Sequence, residues 1–543
     1  MKQKYVLRLP KVILFLLTCL FSLHSFSETT DVVTSFNDPK GLLINGTDLY
    51  IAESNRNKIS KLNLPSTTAT ITWTGATDSN WATATNWSTG AVPTADDNVI
   101  INNVAHNVEI SSTTAAYVKT LVVLDGTLTV KSGGSLILSG GSVGDITYEV
   151  SIADTNWYLV SSPVVGEQYD LFWAFSNSIA SGSGDNAGIA TYDNATLDAT
   201  TGYWRYFQIT GAATTFDTGI GYSTKRSGFG DYSFTGTFPT DDVTPAISQG
   251  VNNWNLLGNP YPSYLDIAAF ITANTANLSD AFETLYVWNG TSYSTTTTGY
   301  IAPGQGFFIN SDVASGTASI TEAMQSHQTV TERRIVRTNT TNPSIKLMLS
   351  DDTNSKNTQI NYLEDKTKGL DPGFDLGMFD GTSSNLRVFT HLVEDNQGIA
   401  FGTQALPNSD LESMVVPVGV KADAGKEITF SVDALNLPTN LKVFLEDKVT
   451  NTFTQLDEAN TDYTITLSEG LDGIGRFYLH TSASALTVDD ATLSTVSIYK
   501  SDISTLRIVG LPQGNTSVKL YNVLGKQVLN TSFDDNAKDI SLP

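Results

Sequence analysis

Apolar side chains recur at every second position in short runs along nearly the whole chain, as in Glu427–Val432, Leu441–Leu445 and Val518–Leu520. Each run is bounded by Gly, Asn, Asp or Pro. A period of two marks strands with one buried face. The helical period is nearly absent, and only Leu265 to Ala276 predicts a short helix. The pattern predicts an all-β protein, and 543 residues allow several domains at about 100–200 residues each.

Changes in texture divide the chain. Residues 1–27 form a leader and 28–66 a compact strand unit. Residues 67–146 open with Trp73-Thr74-Gly75, Asn80-Trp81 and Asn86-Trp87. Short runs follow at 98–101, 108–110, 118–124, 128–130 and 136–138, cut by Gly, Asn or Ser. Such spacing predicts a β-solenoid or a pleated sandwich.

Residues 147–327 contain a repeat. Trp157-Tyr158-Leu159-Val160-Ser161-Ser162-Pro163 matches Trp254-Asn255-Leu256-Leu257-Gly258-Asn259-Pro260, 97 residues on. Tyr192-Asp193-Asn194-Ala195-Thr196 matches Val287-Trp288-Asn289-Gly290-Thr291 more loosely, at 95. Gly219-Ile220-Gly221-Tyr222 matches Gly304-Gln305-Gly306-Phe307, at 85. Three landmarks in one order predict a duplicated β unit that buries its apolar face against its own copy. The Gly-x-Gly-aromatic element marks a point where a strand needs a residue without Cβ. Residues 328–344, with Arg333, Arg334 and Arg337, read as a linker, 345–480 as a β-sandwich, 481–494 as a second linker and 495–543 as an end domain.

Several segments resemble known families. Pro39-Lys40-Gly41-Leu42 and the stretch from Leu49 to Ile59 resemble one NHL repeat, with Glu53 where that family has Asp. A propeller needs about four to eight such blades, so a single unit implies an orphan blade or a remnant. The Trp-rich opening resembles the lead-in to β-helical regions of large bacterial surface proteins. The Trp-x-Leu…Asn-Pro-Tyr-Pro element at Trp254–Pro262 resembles a module of exported Bacteroidetes proteins. Tyr362-Leu363-Glu364, Gly373-Phe374-Asp375, Val416–Val420, Leu445–Lys448 and Arg476–His480 resemble a sandwich that often precedes type IX sorting domains.

The tail carries the most specific resemblance. Val518, Leu520, Tyr521, Asn522, Leu524, Gly525, Lys526 and Val528 match the central hairpin of type A type IX sorting domains. That resemblance implies a small Ig-like β-sandwich, export across the outer membrane, and the type IX machinery as partner. The family pattern continues with further strands, whereas here the letters stop at Ile540-Ser541-Leu542-Pro543. The expectation is a truncated sandwich with an open edge where the next strand would begin.

The first residues agree with export. Lys2, Lys4, Arg8 and Lys11 precede an apolar run from Val12 to Leu23, and Ser25-Phe26-Ser27 offers a cleavage site after Ser27. Cys19, the one cysteine, lies inside that run, where Thr18 fits a lipidation signal poorly. Neither a disulfide nor Cys-ligated metal is then expected in the mature chain. No later stretch is apolar enough to span a bilayer as a helix. The formal net charge of −24 argues against nucleic acid and anionic membrane as partners.

Candidate chemistry is sparse. His106, His327, His391 and His480 are far apart, and no His-Glu-x-x-His, Gly-x-Ser-x-Gly or phosphate-loop pattern occurs. Asp96-Asp97, Asp241-Asp242, Asp351-Asp352 and Asp489-Asp490 are acidic pairs, and two opposed carboxylates would serve glycoside hydrolysis. Asp351, Asp352 and Asn354 are candidate ligands for structural calcium, or simply turn formers. No cofactor is required and no catalytic residue is assigned. Trp73, Trp81 and Trp87, with Trp204 and Trp288, either stack on sugar rings or pack cores. The leading expectation is a secreted cell-surface or matrix protein that binds a glycan or matrix ligand. The alternative is a secreted polysaccharide-active enzyme or its carbohydrate-binding accessory.

Overall fold

The computed structural model describes residues 39–45, 48–53, 58–63 and 70–542, apart from 103–104, 153, 174–176, 211–213, 289–292, 329–341, 382–383, 413, 459–460, 484–495, 503, 512–513 and 522–526. The leader, Arg333, Arg334, Arg337 and the Asp489-Asp490 pair lie outside the described residues. So do Asn522, Leu524, Gly525 and Lys526. The fold is all-β. The helix expected over Leu265 to Ala276 is present at Ile267–Asn274, with the Asp266 carboxylate accepting from the Ala269 N–H at 2.9 Å as its N-cap. No helix among the described residues is long and apolar enough to cross a membrane. Pro39–Asn45, Asp48–Glu53 and Lys58–Asn63 pair antiparallel in chain order.

The segment from 70 onward is a parallel β-solenoid. Thr70–Thr72, Asn98–Ile101, Thr120–Val123 and Ser142–Val143 stack as one wall. Val108–Ile110, Leu128–Val130 and Asp145–Ser151 form a second. Ala115–Val118 and Ser135–Leu138 form a third. Val99 sits beside Leu121, Val108 beside Leu128 and Ala116 beside Leu136, so like residues recur on successive coils and fill one interior. Gly144 turns a corner at φ +86°, where a Cβ would overlap the Val123 carbonyl oxygen.

The solenoid does not end where the composition changes. Asp145–Ser151 pairs in parallel with Leu128–Val130 on one side and antiparallel, over seven residues, with Asp231–Thr237 on the other. One buried core runs from Ile71 to Phe238. The expected boundary at 146/147 therefore falls inside a strand, because one sheet continues from the coils through Asp145–Ser151 to Asp231–Thr237 despite the shift in composition.

The repeat is a pair of twin sheets. In the first, Trp157–Ser161, Gly221–Lys225, Asn186–Tyr192 and Trp204–Gln208 lie side by side in that order. In the second the order is Trp254–Gly258, Gly306–Asn310, Leu285–Trp288 and Tyr293–Thr296. Trp157 pairs with Lys225 as Trp254 pairs with Asn310, preserving the offsets of 97 and 85. Ala190 pairs with Ser223 as Tyr286 pairs with Phe308, so the middle landmark is offset by 96 and not 95.

The twins meet across a local pseudo-two-fold axis. Ser161 N donates to Gly304 O at 3.0 Å, and its counterpart Gly258 N donates to Gly219 O at 3.0 Å. Val160 bridges Gln305 as Leu257 bridges Ile220. The glycines make this approach feasible: a Cβ on Gly258 would overlap Ser161, and one on Gly221 would overlap the Leu257 carbonyl.

Residues 344–482 depart from the expected two-layer sandwich. Their strands form one eleven-stranded sheet, ordered from Thr452–Gln455 at one edge to Tyr463–Thr466 at the other. The sheet rolls until its edges approach. Tyr463 on the last strand donates its hydroxyl to Asp447 Oδ2 at 2.8 Å, next to the first. Alternation says which face of a strand is buried, but not which strand lies beside it.

In the end domain, Ser497–Asp502, Thr505–Val509 and Ala537–Ser541 make a three-stranded sheet, and Thr516–Tyr521 pairs with Gln527–Phe533. Ile540 is buried within its strand, so this stretch is already paired where the sequence pattern expected the next strand only to begin. Tyr499 and Val509 pack on Phe389 and Ile474 of the rolled sheet.

Candidate functional site

The three tryptophans proposed as a sugar platform close the end of the solenoid instead. Trp73, Trp81 and Trp87 are 2 %, 0 % and 2 % exposed, and Trp87 meets both others edge-on at 4.7–4.8 Å. Trp73 Nε1 donates to His106 O and Trp87 Nε1 to Trp81 O, each at 2.8 Å. A solenoid needs such a lid because its terminal coil would otherwise show its apolar cross-section to water. No ring face remains for a ligand.

The calcium candidates make a hairpin turn. Asp351 Oδ1 accepts from the N–H groups of Thr353 (2.8 Å) and Asn354 (2.7 Å) between Ser344–Ser350 and Ser355–Leu363. The Thr353 N–H leads in holding this carboxyl below its ordinary range. Asp352 and Asn354 are exposed on the same turn. No group of three or more His, Cys, Asp or Glu suited to a metal ion is found among the described residues.

The histidines remain apart. His106 Nδ1 meets Gly75 O at 2.6 Å, His391 Nδ1 meets Asn396 Oδ1 at 3.2 Å, and His480 Nε2 meets Glu446 Oε2 at 2.9 Å. His327 contacts Ser135 and the Tyr117 ring, tying the second twin to the solenoid. Burial pushes His327 and His391 down to about 4. Asp242 Oδ1 caps the Glu322 N–H at 2.8 Å. Of the sorting-hairpin residues, Val518 and Leu520 are half-buried, whereas Tyr521 and Val528 are exposed.

The chemistry gathers at the seam of the twin sheets. Trp157 and Leu159, from the first strand of the first twin, line a cleft of about 250 Å³ with Tyr158, Trp204, Tyr206 and Ser223. Trp288 and Tyr293, from the hairpin of the second twin, close its other side. Trp157 meets Tyr206 at 5.8 Å, Trp288 meets Tyr293 at 4.9 Å, and Trp288 Nε1 donates to Trp157 O at 2.8 Å. Lys225 Nζ lies 5.9 Å from the centre of the Trp157 ring. Burial raises the Tyr206 and Tyr293 hydroxyls, so both stay neutral. The cleft is smaller than a drug-sized pocket, suiting one side chain or one sugar ring.

Trp204 and Trp288 were among the stacking candidates, and the fold brings them together here. Trp157, Tyr206, Ser223 and Tyr293 carried no motif of their own. The repeat was the available signal, because Trp157 opens the first copy as Trp254 opens the second.

The symmetry-related cleft is full. Trp254, Leu256, Phe308, Tyr192, Trp204 and Tyr293 are the counterparts of its lining, and they surround Phe379 from the rolled sheet. Ring centres lie 4.6 Å from Trp254, 4.1 Å from Tyr293 and 4.9 Å from Phe308. Trp254 Nε1 donates to Asp380 Oδ1 at 2.6 Å, and Tyr192 donates its hydroxyl to Gly381 O at 3.1 Å. Trp204 and Tyr293, exchanged by the pseudo-axis, serve both clefts.

No curated protein and no solved structure matches the chain. A family model described as a domain of unknown function (DUF8693) matches residues 72–147 and 289–480, which hold the capped coils and the rolled sheet, while Trp157, Trp204, Ser223 and Trp288 of the open cleft lie between the matched stretches.

Proposed function

We propose that this chain is a binding protein of the cell exterior, and that the open aromatic cleft between its twin sheets is where it holds its ligand. The observation that carries the reading is that cleft: three tryptophans and three tyrosines, half-buried, with apolar ring surface facing water. Leaving such surface open has a hydration cost, which a bound ring or side chain removes. Export through the type IX route is part of the proposal. It is supported by the leader pattern and by the hairpin resemblance at Val518–Val528. An adhesive role fits modules built in series, with the cleft on the central pair.

The test is an array of glycans and matrix proteins probed with the whole chain and with Trp157→Ala. Saturable binding without turnover, lost in Trp157→Ala while the melting curve keeps its shape, is the expected result. Binding that ignores Trp157, or release of oligosaccharides from the array, would overturn it.

A further inference from the structure

We infer that the open cleft takes an aromatic side chain followed directly by a carboxylate, presented on a glycine-flanked loop of a partner protein. The inference rests on the reading of this cleft as the binding site and names the chemistry of its occupant.

The chain carries its own template. The twin cleft holds Phe379 within Gly377-Met378-Phe379-Asp380-Gly381, and the adjacent acid is fixed by an indole N–H. That loop is narrow by necessity. A Cβ at Gly377 would overlap the Phe282 ring, and one at Gly381 would press on Phe379 itself.

In the open cleft the same parts await an occupant. Trp157 stands where Trp254 stands, and its Nε1 has no acceptor among the described residues. Leu159 matches Leu256, and the shared pair Trp204 and Tyr293 forms the floor of both. Trp288 takes the place of Tyr192, and two further differences have a direct chemical meaning for the occupant. Ser223 replaces Phe308, which leaves room beside the entering ring. Lys225 replaces Asn310 at the position paired with the tryptophan. A cation near Trp157, with no carboxylate partner among the described residues, favours an acid next to the bound ring. On a chain with net charge −24 such a cation is conspicuous. A sugar would use the ring faces but would not need Lys225.

The experiment titrates an acetylated and amidated Gly-Met-Phe-Asp-Gly peptide, with the phenylalanine ring fluorinated, into the whole chain, followed by fluorine NMR. Saturable binding is expected, abolished when the peptide Phe is replaced by Ala. Ser223→Phe recreates the environment of the filled cleft and tightens binding roughly two- to tenfold, by one added aromatic pair. Lys225→Ala weakens the Asp peptide several-fold but leaves an Asn version of the peptide unchanged. This variant and Ser223→Phe keep the readout independent of whether Trp157→Ala folds.

No saturation up to about 1 mM, or binding indifferent to both variants, would overturn the inference. So would self-association of the chain abolished by Phe229→Ser. Phe229 is 80 % exposed on the loop Gly228-Phe229-Gly230, and that result would assign the cleft to a second copy. A glycan that binds through Trp157 while the peptide does not would leave the proposed site standing and remove only this occupant.

Discussion

The two copies of the repeated sheet share strand order, register and an aromatic cleft, yet one cleft is packed and the other faces solvent. In the second copy, Trp254 is 1 % exposed beneath a loop from the rolled sheet. In the first, Trp157 remains half-buried, with no equivalent loop inserted against it among the described residues. The difference teaches how a duplication divides its labour. One copy spends its apolar face on joining the next module, and the other retains an equivalent face for use outside the chain. Substituting Phe308 by Ser223 and Asn310 by Lys225 accompanies that division.

The comparison depends first on the seam, which offers its severest test. Gly258→Leu places a side chain into Ser161 across the pseudo-axis. We expect a loss of about 3 kcal/mol or more, measured by denaturant unfolding. Gly258→Ser is milder, and exchanging the pair (Ser161→Gly with Gly258→Ser) restores most of its loss. Without that rescue, the pseudo-symmetric description of the seam fails.

A pH titration separates the filled cleft from the open one. Asp375 lies just before the inserted loop, fully buried, accepting from the N–H of Asp371 (2.6 Å) and of Ala405 (2.7 Å). Burial raises its carboxyl to about 7, so the folded state holds the proton more tightly than the unfolded state does. The resulting contribution is complete below about pH 4 and is lost as the pH rises through about 7. It amounts to roughly 4 kcal/mol. Amide exchange of residues 376–381, corrected for its intrinsic pH dependence, should therefore accelerate progressively between about pH 4 and pH 7 and level off above it. Amides around the open cleft should not follow, and equal acceleration on both sides would contradict the assignment.

Emptying the filled cleft makes the copies alike. Phe379→Ala is expected to cost about 2 kcal/mol, less than a fully buried phenylalanine because the ring is half-covered. If the clefts are equivalent, the variant binds two aromatic peptides where the native chain binds one, read as stoichiometry by calorimetry. A single site in the variant would show that the two have diverged beyond their shared lining.

Much of this architecture was legible because strand side chains alternate with a strict period. That period exposed the all-β class, and the spacing of Trp157 and Trp254 exposed the duplication. It could not decide whether the runs near Val99 and Leu121 were coils of a solenoid or layers of a sandwich, since both bury alternate residues. Nor could it show that Asp145–Ser151 belongs to two modules, or that the strands of 344–482 form a single sheet. Those facts lie in hydrogen bonds between distant segments.

The site was less legible for a related reason. Trp81 and Trp288 look alike as letters, but one closes a solenoid and the other flanks an open cleft. Indole burial depends on partners that arrive from elsewhere in the chain. The Ser223 and Phe308 contrast was present in the aligned copies, yet it acquires meaning only once Phe379 is seen against Phe308.

The strand Asp145–Ser151 also has a mechanical consequence. Because it lies inside one sheet, between Leu128–Val130 of the coils and Asp231–Thr237, and shares its core with the first twin, no hinge separates the two. Tension applied along this strand from the tryptophan-capped end meets seven paired residues in shear and a common interior behind them. The coils and the first twin must therefore yield together, as one beam.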